Sequence, residues 1–249
     1  MPRIENTRVY GLEEAIKTAK YAMAVDTDNL TSELTKGIKN CFTCRTGEGH
    51  DSALKGIIVQ FDLVFSEAAW RQSDRYHFFE FVSSTSKMHK LTQMPVREQC
   101  NQYVDDRNIN VLEEYITKYN RLVEAKKNNE ATQEQVDESF LYCIYNVPMG
   151  FELKAGMSTN YLQLKTMYQQ RKHHRLPDWQ MFCRWCESLP RFIELTQKEK
   201  IKPTVLSYDG KLCPNIGGTI SFSYDPSRIF PNTKWMEVNN IDNLWERIE

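Results

Sequence analysis

The sequence predicts an α+β fold on three observations. The stretch 57–65 alternates apolar residues on one face with a more mixed opposite face, as a half-buried strand does. Two later segments, 110–125 and 158–171, carry apolar residues at helical spacing. Turn signals at Asp209-Gly210 and Gly217-Gly218 separate short runs near the end of the chain, which is typical of a β-hairpin.

Composition narrows the class of protein before any motif is considered. A chain of 249 residues is long enough to bury a core without disulfides or metals. Its net charge of −1 gives no general attraction to nucleic acid or to an anionic membrane. The longest apolar stretch, 56–65, contains Gln60 and Asp62 and is far too short to span a membrane. Seven cysteines without a dense framework fit a reducing compartment, so we expect a soluble, cytoplasmic protein.

The first third of the chain is predicted to contain a helix, a strand and a helical or turn-like segment. The helix is expected over Leu12–Val25 and the turn-like segment over Ala68–Phe79. The strand between them places five apolar residues on one face: Ile57, Val59, Phe61, Leu63 and Phe65.

The middle of the chain predicts an αα-hairpin. Asn110–Ala125 carries the clearest apolar stripe in the sequence, and a polar break at Lys126–Thr132 follows it. Gln133–Tyr145 forms the second helix, which Pro148 ends. A hairpin of this kind is expected to serve as scaffold.

Two further helices and the terminal hairpin complete the expected order of elements. A Ser-Thr-Asn cap predicts a helix from Ser158 to Arg171, and Pro177 suits the first turn of the next helix. The hairpin is expected to pair Thr204–Tyr208 with Thr219–Tyr224.

Two Cys-x-x-Cys pairs invite a metal or redox interpretation. Together, Cys41/Cys44 and Cys183/Cys186 supply four thiols, the number that a structural zinc site takes. The second pair falls on a predicted helix, where cysteine packs as a small apolar residue. We therefore favour a core role for that pair and predict no metal site. Zinc and a thioredoxin-like redox pair remain the alternatives.

Two basic segments are candidates for anion binding. The run 171–175 reads Arg-Lys-His-His-Arg at the end of a predicted helix, where basic residues also complement the helix dipole. Arg71 and Arg75 would share a helical face, and the hydroxyl-rich run Ser83–Ser86 follows them. Taken alone, the first segment is better explained by the helix dipole, and the second by a solvated loop.

Taken together, these segments resemble a known family. Gly49-His50 precedes the strand, and Arg71-Gln72 follows it, with Arg75 in register and no gap from Gly49 to His77. A helix with Asn160 near its start ends at Arg171. This order and spacing resemble the flavin-dependent thymidylate synthases, the ThyX family. The resemblance covers residues 49–189, and we expect a single ThyX-like domain over 1–249 with 190–249 as an extension.

The resemblance implies a fold, a reaction and an assembly. The fold would be a mixed sheet packed against several long helices. The reaction would methylate C5 of a pyrimidine deoxynucleotide, converting dUMP to dTMP or forming a related modified pyrimidine. FAD would be the cofactor, with NADPH and methylenetetrahydrofolate as co-substrates. The assembly would be a homotetramer whose active sites are built between subunits.

The resemblance also assigns roles residue by residue. Arg171 would polarise the pyrimidine and be the catalytic residue. The other expected site residues divide into a flavin set (His50, Ser52, Arg75, Tyr76, His77, Asn160, Thr166) and a nucleotide set (Gln72, Arg75, Ser84, Ser86, Arg171). The acid/base partner stays open among the histidines.

The chain departs from the family at several arginine positions. His77, Met88, Ile144 and Leu162 stand where the family has arginines that grip phosphate and flavin. Methionine, isoleucine and leucine donate no hydrogen bond, and each lost charge-assisted contact costs about 1.5–3 kcal/mol. The alternatives are therefore a different pyrimidine, a different flavin or none, and a catalytically altered or inactive nucleotide-binding or structural protein.

Overall fold

The computed structural model describes residues 1–198 in full and the backbone of 205–208, 211–213 and 236–238. The chain divides into two compact units, Met1–Lys198 and Glu199–Glu249, which are described separately. A single domain over the whole chain stays a prediction. The strands and helices of the first unit are β1 (Arg3–Tyr10), α1 (Leu12–Thr18), α2 (Lys36–Phe42), β2 (Ile58–Ser66), α3 (Glu67–Ser73), β3 (Glu80–Ser84), α4 (Lys87–Lys90), α5 (Val96–Gln99), α6 (Asp106–Lys127), α7 (Gln133–Tyr145), β4 (Glu152–Asn160), α8 (Tyr161–Arg171), α9 (Pro177–Ser188) and α10 (Phe192–Thr196).

A four-stranded sheet forms the centre of the first unit. Its order is β1-β2-β4-β3, and β2 lies between β1 and β4 over almost its whole length. The α+β class is confirmed, but every pairing in this sheet is antiparallel, so the expectation of a mixed sheet is wrong in that detail. The predicted period-two strand is also confirmed, because Val59, Phe61, Leu63 and Phe65 are all buried.

The main core lies where helices α8, α9 and α10 pack beside the sheet. Trp179, Phe182 and Cys186 of α9 are fully buried there, and the Trp179 ring meets Phe65 of β2 edge-on at 5.2 Å. Tyr161 at the start of α8 donates its hydroxyl to the Pro190 carbonyl at 2.7 Å. These contacts fix α8 and α9 in place, and both helices carry expected site residues.

Helix α8 begins three residues later than the sequence predicts. Ser158–Asn160 continue β4, where they pair with β2 up to Ile58. The Asn160 side chain then accepts from the Gln163 backbone N–H at 2.9 Å and caps the helix. The cap residue is therefore the last of the three expected ones, because strand pairing extends through all three. The end at Arg171 is confirmed.

Other helix boundaries differ in instructive ways. The first predicted helix, 12–25, stops at Thr18 and is followed by a short 3-10 turn over Tyr21–Met23. Within the segment 68–79, the helix extends only to Ser73. The Ser66 hydroxyl caps the start of this helix. The start of α9 at Pro177 is as predicted.

The αα-hairpin is confirmed, with a longer first helix than expected. Helix α6 spans 22 residues, and α7 has the predicted bounds. A capping box between Thr132 and Gln135 starts α7. A second, smaller core packs under the hairpin and contains Leu112, Cys143 and Phe151.

The second unit is described only by three strands. β5 (Val205–Tyr208) pairs antiparallel with β6 (Lys211–Cys213) and β7 (Met236–Val238). The first predicted strand of the hairpin is confirmed, while its predicted partner, 219–224, lies outside the described residues. Within the described part of the chain, no helix is long and apolar enough to cross a membrane.

Candidate functional site

Arg171, at the end of α8, is the centre of a buried polar cluster. Its Nε donates to the Tyr76 hydroxyl at 2.8 Å, and its Nη1 donates to Gln72 Oε1 at 2.9 Å. Nη2 lies 3.4 Å from the Gln72 carbonyl oxygen. The guanidinium is 4.5 Å from the centre of the Trp179 ring and only 8% of Arg171 is exposed. We name these four residues the arginine cluster.

The arginine cluster leaves hydrogen-bond donors, not acceptors, for a ligand. Gln72 Oε1 accepts from both Arg171 and Trp179 Nε1, which fixes the orientation of the amide. The Gln72 amide nitrogen makes no hydrogen bond within residues 1–198, and the guanidinium uses three of the five N–H groups that arginine carries. The remaining donors suit carbonyl or anionic oxygens.

The expected substrate and flavin sets are partly brought together here. Gln72 and Arg171 were assigned to the nucleotide and Tyr76 to the flavin, and one hydrogen-bonded cluster contains all three. Of the basic run 171–175, Arg171 turns inward, whereas Lys172, His173 and Arg175 are exposed. The helix-dipole interpretation therefore fits most of the run, and the anion-site interpretation fits Arg171.

His174 lies against this cluster and is held largely neutral. Burial lowers its pKa from the usual range, and the nearby Arg171 charge lowers it further. Its Nδ1 accepts from the Leu176 backbone N–H at 3.2 Å, and its ring meets Trp179 edge-on. The neutral ring thus joins the end of α8 to the start of α9.

The lowered pKa of His174 predicts acid sensitivity. The unfolded chain binds a proton at this site below about pH 6.5, while the folded chain resists protonation until a lower pH, so stability should fall as the pH drops below about 6.5 and level off below the folded pKa. In His174→Asn, whose side-chain oxygen can accept from Leu176, Tm should decline less between pH 7.5 and 5.5 than in wild type. Thermal melts measure this, with the exposed His173→Asn as control. An equal decline in His174→Asn and wild type would contradict the assignment.

Three other expected flavin residues line a cleft that begins at the opposite end of α8. A cleft of about 400 Å³ is lined by residues that include Gly47, Gly49, Ser52, Lys55, Asn160 and Thr166. We name it the α8 cleft. It contains Ser52, Asn160 and Thr166 of the flavin set, together with the first backbone N–H groups of the helix at Leu162 and Gln163.

A buried lysine fixes one wall of the α8 cleft. Lys165 is fully buried, and its Nζ donates to the carbonyls of Phe42 and Cys44 at 2.9 and 2.8 Å and to Asp51 Oδ2 at 2.5 Å. The loop 45–50 runs between two of these partners and includes Gly47 and Gly49, both at positive φ. One ammonium therefore holds both ends of the loop that lines the cleft.

Sequence reasoning considered Lys165 only as a possible replacement for a missing arginine and did not predict its buried ion pair with Asp51. A signal for the lysine was present, because Tyr161, Leu164, Lys165 and Tyr168 follow helical spacing along one face. A lysine within an apolar stripe needs a buried partner. The sequence alone does not identify Asp51 as that partner.

The remaining expected site residues join neither group. His50, Arg75 and His77 are exposed and line neither the α8 cleft nor the arginine cluster. Ser84 lies exposed in the edge strand β3, and Ser86 precedes α4 without capping it through its side chain. Their roles in binding stay predictions.

The two cysteine pairs are free thiols in different surroundings. Cys183 and Cys186 are buried in α9, as the core interpretation expected, and burial raises the pKa of the Cys183 thiol to about 11. Burial also raises the pKa of Cys186 well above the usual value of a thiol. Redox-active pairs need a lowered pKa, so this environment disfavours the redox alternative. Among the residues described, no group of three or more metal-ligating side chains could hold a metal ion.

The raised pKa values predict slow thiol labelling. In native protein at pH 8, iodoacetamide should leave Cys183 and Cys186 largely unmodified, because the reactive thiolate is scarce and buried. Peptide mass spectrometry measures the extent, with labelling in urea as control. Native labelling as fast as that of a free thiol would contradict this environment.

Solved structures match this architecture over most of the chain's length. Two crystal structures of ThyX from Helicobacter pylori, each described as containing FAD and dUMP, align with TM-scores of 0.53 and 0.54. They are 15% and 14% identical to this chain, and the alignments cover 78% and 77% of this chain and 96% of theirs. The chain has the ThyX fold. Identity this low supports a relationship at the level of the fold. No family model matches the sequence, and no curated protein matches it.

Proposed function

We propose that the protein is a flavin-dependent enzyme of the ThyX type, which transfers and reduces a one-carbon unit at C5 of a pyrimidine deoxynucleotide. The observation that carries the proposal is the arrangement along α8. Asn160 and the α8 cleft lie at its start, and Arg171 with its cluster lies at its end. Eleven helical residues place these sites about 16 Å apart. Fold likeness to FAD- and dUMP-containing structures supports the same assignment.

The residues of the α8 cleft suit part of a dinucleotide cofactor. Its volume falls within the usual range for ligand pockets, about 300–1,000 Å³. The positive end of the α8 dipole and the Leu162 N–H favour a diphosphate, whereas the Gln163 N–H is already bonded to Asn160. Lys55 is exposed without an ion-pair partner in residues 1–198. A side chain at Gly47 or Gly49 would meet no atom within 4 Å, so the loop leaves open space. FAD is larger than this cleft, so only part of it would lie here.

Bound FAD would supply hydride drawn from NADPH, with methylenetetrahydrofolate as carbon donor. The chain's own contribution centres on charge and orientation. Arg171 would donate to a pyrimidine carbonyl and stabilise the negative charge that develops when C5 becomes nucleophilic. The Gln72 amide nitrogen would donate to a second oxygen of the base. Both groups are held in advance by Tyr76 and Trp179, which lowers the cost of ordering them.

The proposal includes a homotetramer in which a second subunit completes each site. Phe78 lines the α8 cleft and is 61% exposed. The edge strand β3 continues this surface with exposed Phe81 and Val82. An exposed apolar edge strand favours association with another chain.

A second candidate function is nucleotide binding without turnover. Leu162 lines the α8 cleft, Ile144 packs on the smaller core and Met88 is exposed. The side chains at these three positions have no hydrogen-bond donor. Arg171 is also extensively bonded within the chain. These observations favour weaker phosphate binding than the family's pattern implies.

One experiment separates the two candidates. Purified protein is mixed with FAD, dialysed and examined for the visible flavin absorption band. It is then assayed for tritium release from C5-labelled dUMP and dCMP with NADPH and methylenetetrahydrofolate. Retained flavin with tritium release supports the enzyme. Saturable nucleotide binding with no release for either base supports the second candidate. If the protein binds neither FAD nor nucleotide, both candidate functions are contradicted.

A further inference from the structure

The hydroxyl of Tyr76, in the connection between α3 and β3, makes two hydrogen bonds of fixed direction. It donates to Gln170 Oε1 at 2.9 Å and accepts from Arg171 Nε at 2.8 Å. Because a phenol carries one proton, the bond to Gln170 turns a lone pair of the same oxygen toward the guanidinium. The hydroxyl therefore meets Arg171 as an acceptor.

The backbone and the ring of Tyr76 hold this hydroxyl in place. The Tyr76 N–H donates to the Ser73 carbonyl at 3.0 Å, and its carbonyl accepts from the Phe79 N–H at 3.3 Å. The residue is only 9% exposed. Its ring centre lies 5.5 Å from the guanidinium of Arg171 and 6.2 Å from the centre of the Trp179 ring. A side chain held in this way has little freedom to turn toward another partner.

The orientation of Arg171 depends on this contact. Nε carries a single hydrogen, and its hydrogen-bond partner within residues 1–198 is the Tyr76 hydroxyl. The terminal nitrogens Nη1 and Nη2 meet the side-chain and backbone oxygens of Gln72 at 2.9 and 3.4 Å. Contacts at all three nitrogens fix the plane of the guanidinium. They also determine which N–H groups stay free for a ligand.

Tyr76 lies apart from the cleft that contains most of the buried flavin set. Ser52, Asn160 and Thr166 line the α8 cleft, whereas Tyr76 does not. The family resemblance assigns Tyr76 to the flavin. Its hydroxyl instead bonds Arg171, the residue assigned to the pyrimidine.

We propose that Tyr76 is a positioning residue for Arg171 and not a flavin ligand. Its hydroxyl holds the guanidinium in the orientation that meets the pyrimidine. This inference rests on the proposed function and adds to it the residue that orients the catalytic group. Without the hydroxyl, the Nε–H would be a buried donor without an acceptor, and the guanidinium would turn to find one. A misplacement of about 1 Å can cost about 10²-fold in rate.

Tyr76→Phe tests the inference, because it removes the hydroxyl and keeps the ring. With the nucleotide that wild type turns over, kcat for tritium release should fall about 10–100-fold at a temperature where the variant is folded. KM for the nucleotide should change less than about threefold, because the charge that Arg171 stabilises develops only in the transition state. FAD affinity, followed by flavin absorbance, should stay within about twofold of wild type.

Tyr168→Phe is the matched control on α8. It removes a hydroxyl that donates to Glu187 at 2.7 Å, so it also loses one hydrogen bond. Its kcat should equal that of wild type. A tyrosine with only a structural role at position 76 would lower Tm in Tyr76→Phe and leave kcat of the folded variant unchanged.

A second readout needs no turnover and separates this inference from the proposed function. The Arg171 Nε–H signal in proton–nitrogen NMR spectra is identified by its absence in Arg171→Lys. It should exchange with solvent slowly in wild type and in Tyr168→Phe, and at least about tenfold faster in Tyr76→Phe.

Three results would each overturn the inference: unchanged exchange, unchanged kcat, or a loss of FAD affinity in Tyr76→Phe. An inactive wild type whose Arg171 exchange still depends on Tyr76 would contradict the proposed function instead. Tyr76 would then remain the residue that orients Arg171.

Discussion

Replacing Lys165 by methionine is expected to lower the free energy of unfolding by about 3–5 kcal/mol. The substitution leaves Asp51, only 2% exposed, as a buried charge without its cationic partner. It also removes the donor from the carbonyls of Phe42 and Cys44. Urea denaturation followed by circular dichroism measures the change.

A double-mutant cycle tests the physical reason for that loss. Asp51→Asn combined with Lys165→Met removes both charges and should recover part of the stability lost in the single variant. Lys172→Met changes an exposed lysine at the end of the same helix. Its free energy of unfolding should stay within about 0.5 kcal/mol of wild type. A loss below about 1 kcal/mol in Lys165→Met would show that the ion pair is not formed in solution.

The buried ion pair should also affect ligand binding. Because Lys165 bonds both before and after the loop 45–50, its removal should loosen the wall of the α8 cleft. In the proposed function, FAD affinity should then fall more than dUMP affinity, since the arginine cluster lies at the other end of the helix. Asp51→Asn retains a side-chain oxygen for Lys165 and should show the smaller loss of the two single variants.

Replacing Arg171 by lysine should reduce turnover in the proposed reaction by about 10²–10³-fold. Lysine keeps the charge but lacks the planar fork that reaches Gln72 and Tyr76 together and leaves donors for the base. FAD binding should change less than turnover, because the start of the α8 cleft at Asn160 lies about 16 Å from Arg171 along the helix. Tritium release from C5-labelled substrate and flavin absorbance measure the two effects separately.

A matched control separates chemistry from folding in this experiment. Arg184→Lys changes an exposed arginine on α9 and should leave both turnover and stability unchanged. Arg171→Lys should lower Tm as well, since the stacking on Trp179 at 4.5 Å is lost. Turnover at the wild-type rate in Arg171→Lys would remove Arg171 from the catalytic role.

Local patterns were sufficient for most of the secondary structure. The apolar alternation that ends at Phe65 correctly predicted a strand. The apolar stripe before the polar break at 126–132 correctly predicted a helical hairpin. Both predictions succeeded because the period of the apolar residues reflects which face of an element is buried. The predicted start of α8 was wrong because strand pairing with a distant segment competed with a local helix cap. Ser158 and Thr159 are good capping residues, yet their backbone groups bond β2 instead.

The candidate site divides in the same way. The sequence by itself determined the α+β class, the end of α8 at Arg171 and the residue types that the family resemblance assigned, since these depend on periodicity and spacing along the chain. Only the tertiary structure decided that Gln72, Tyr76 and Trp179 surround Arg171 and that Lys165 meets Asp51. Gln72 and Tyr76 lie about 100 residues from Arg171, and Asp51 lies 114 residues from Lys165. The sheet and helix packing that joins them leaves no local pattern in the sequence.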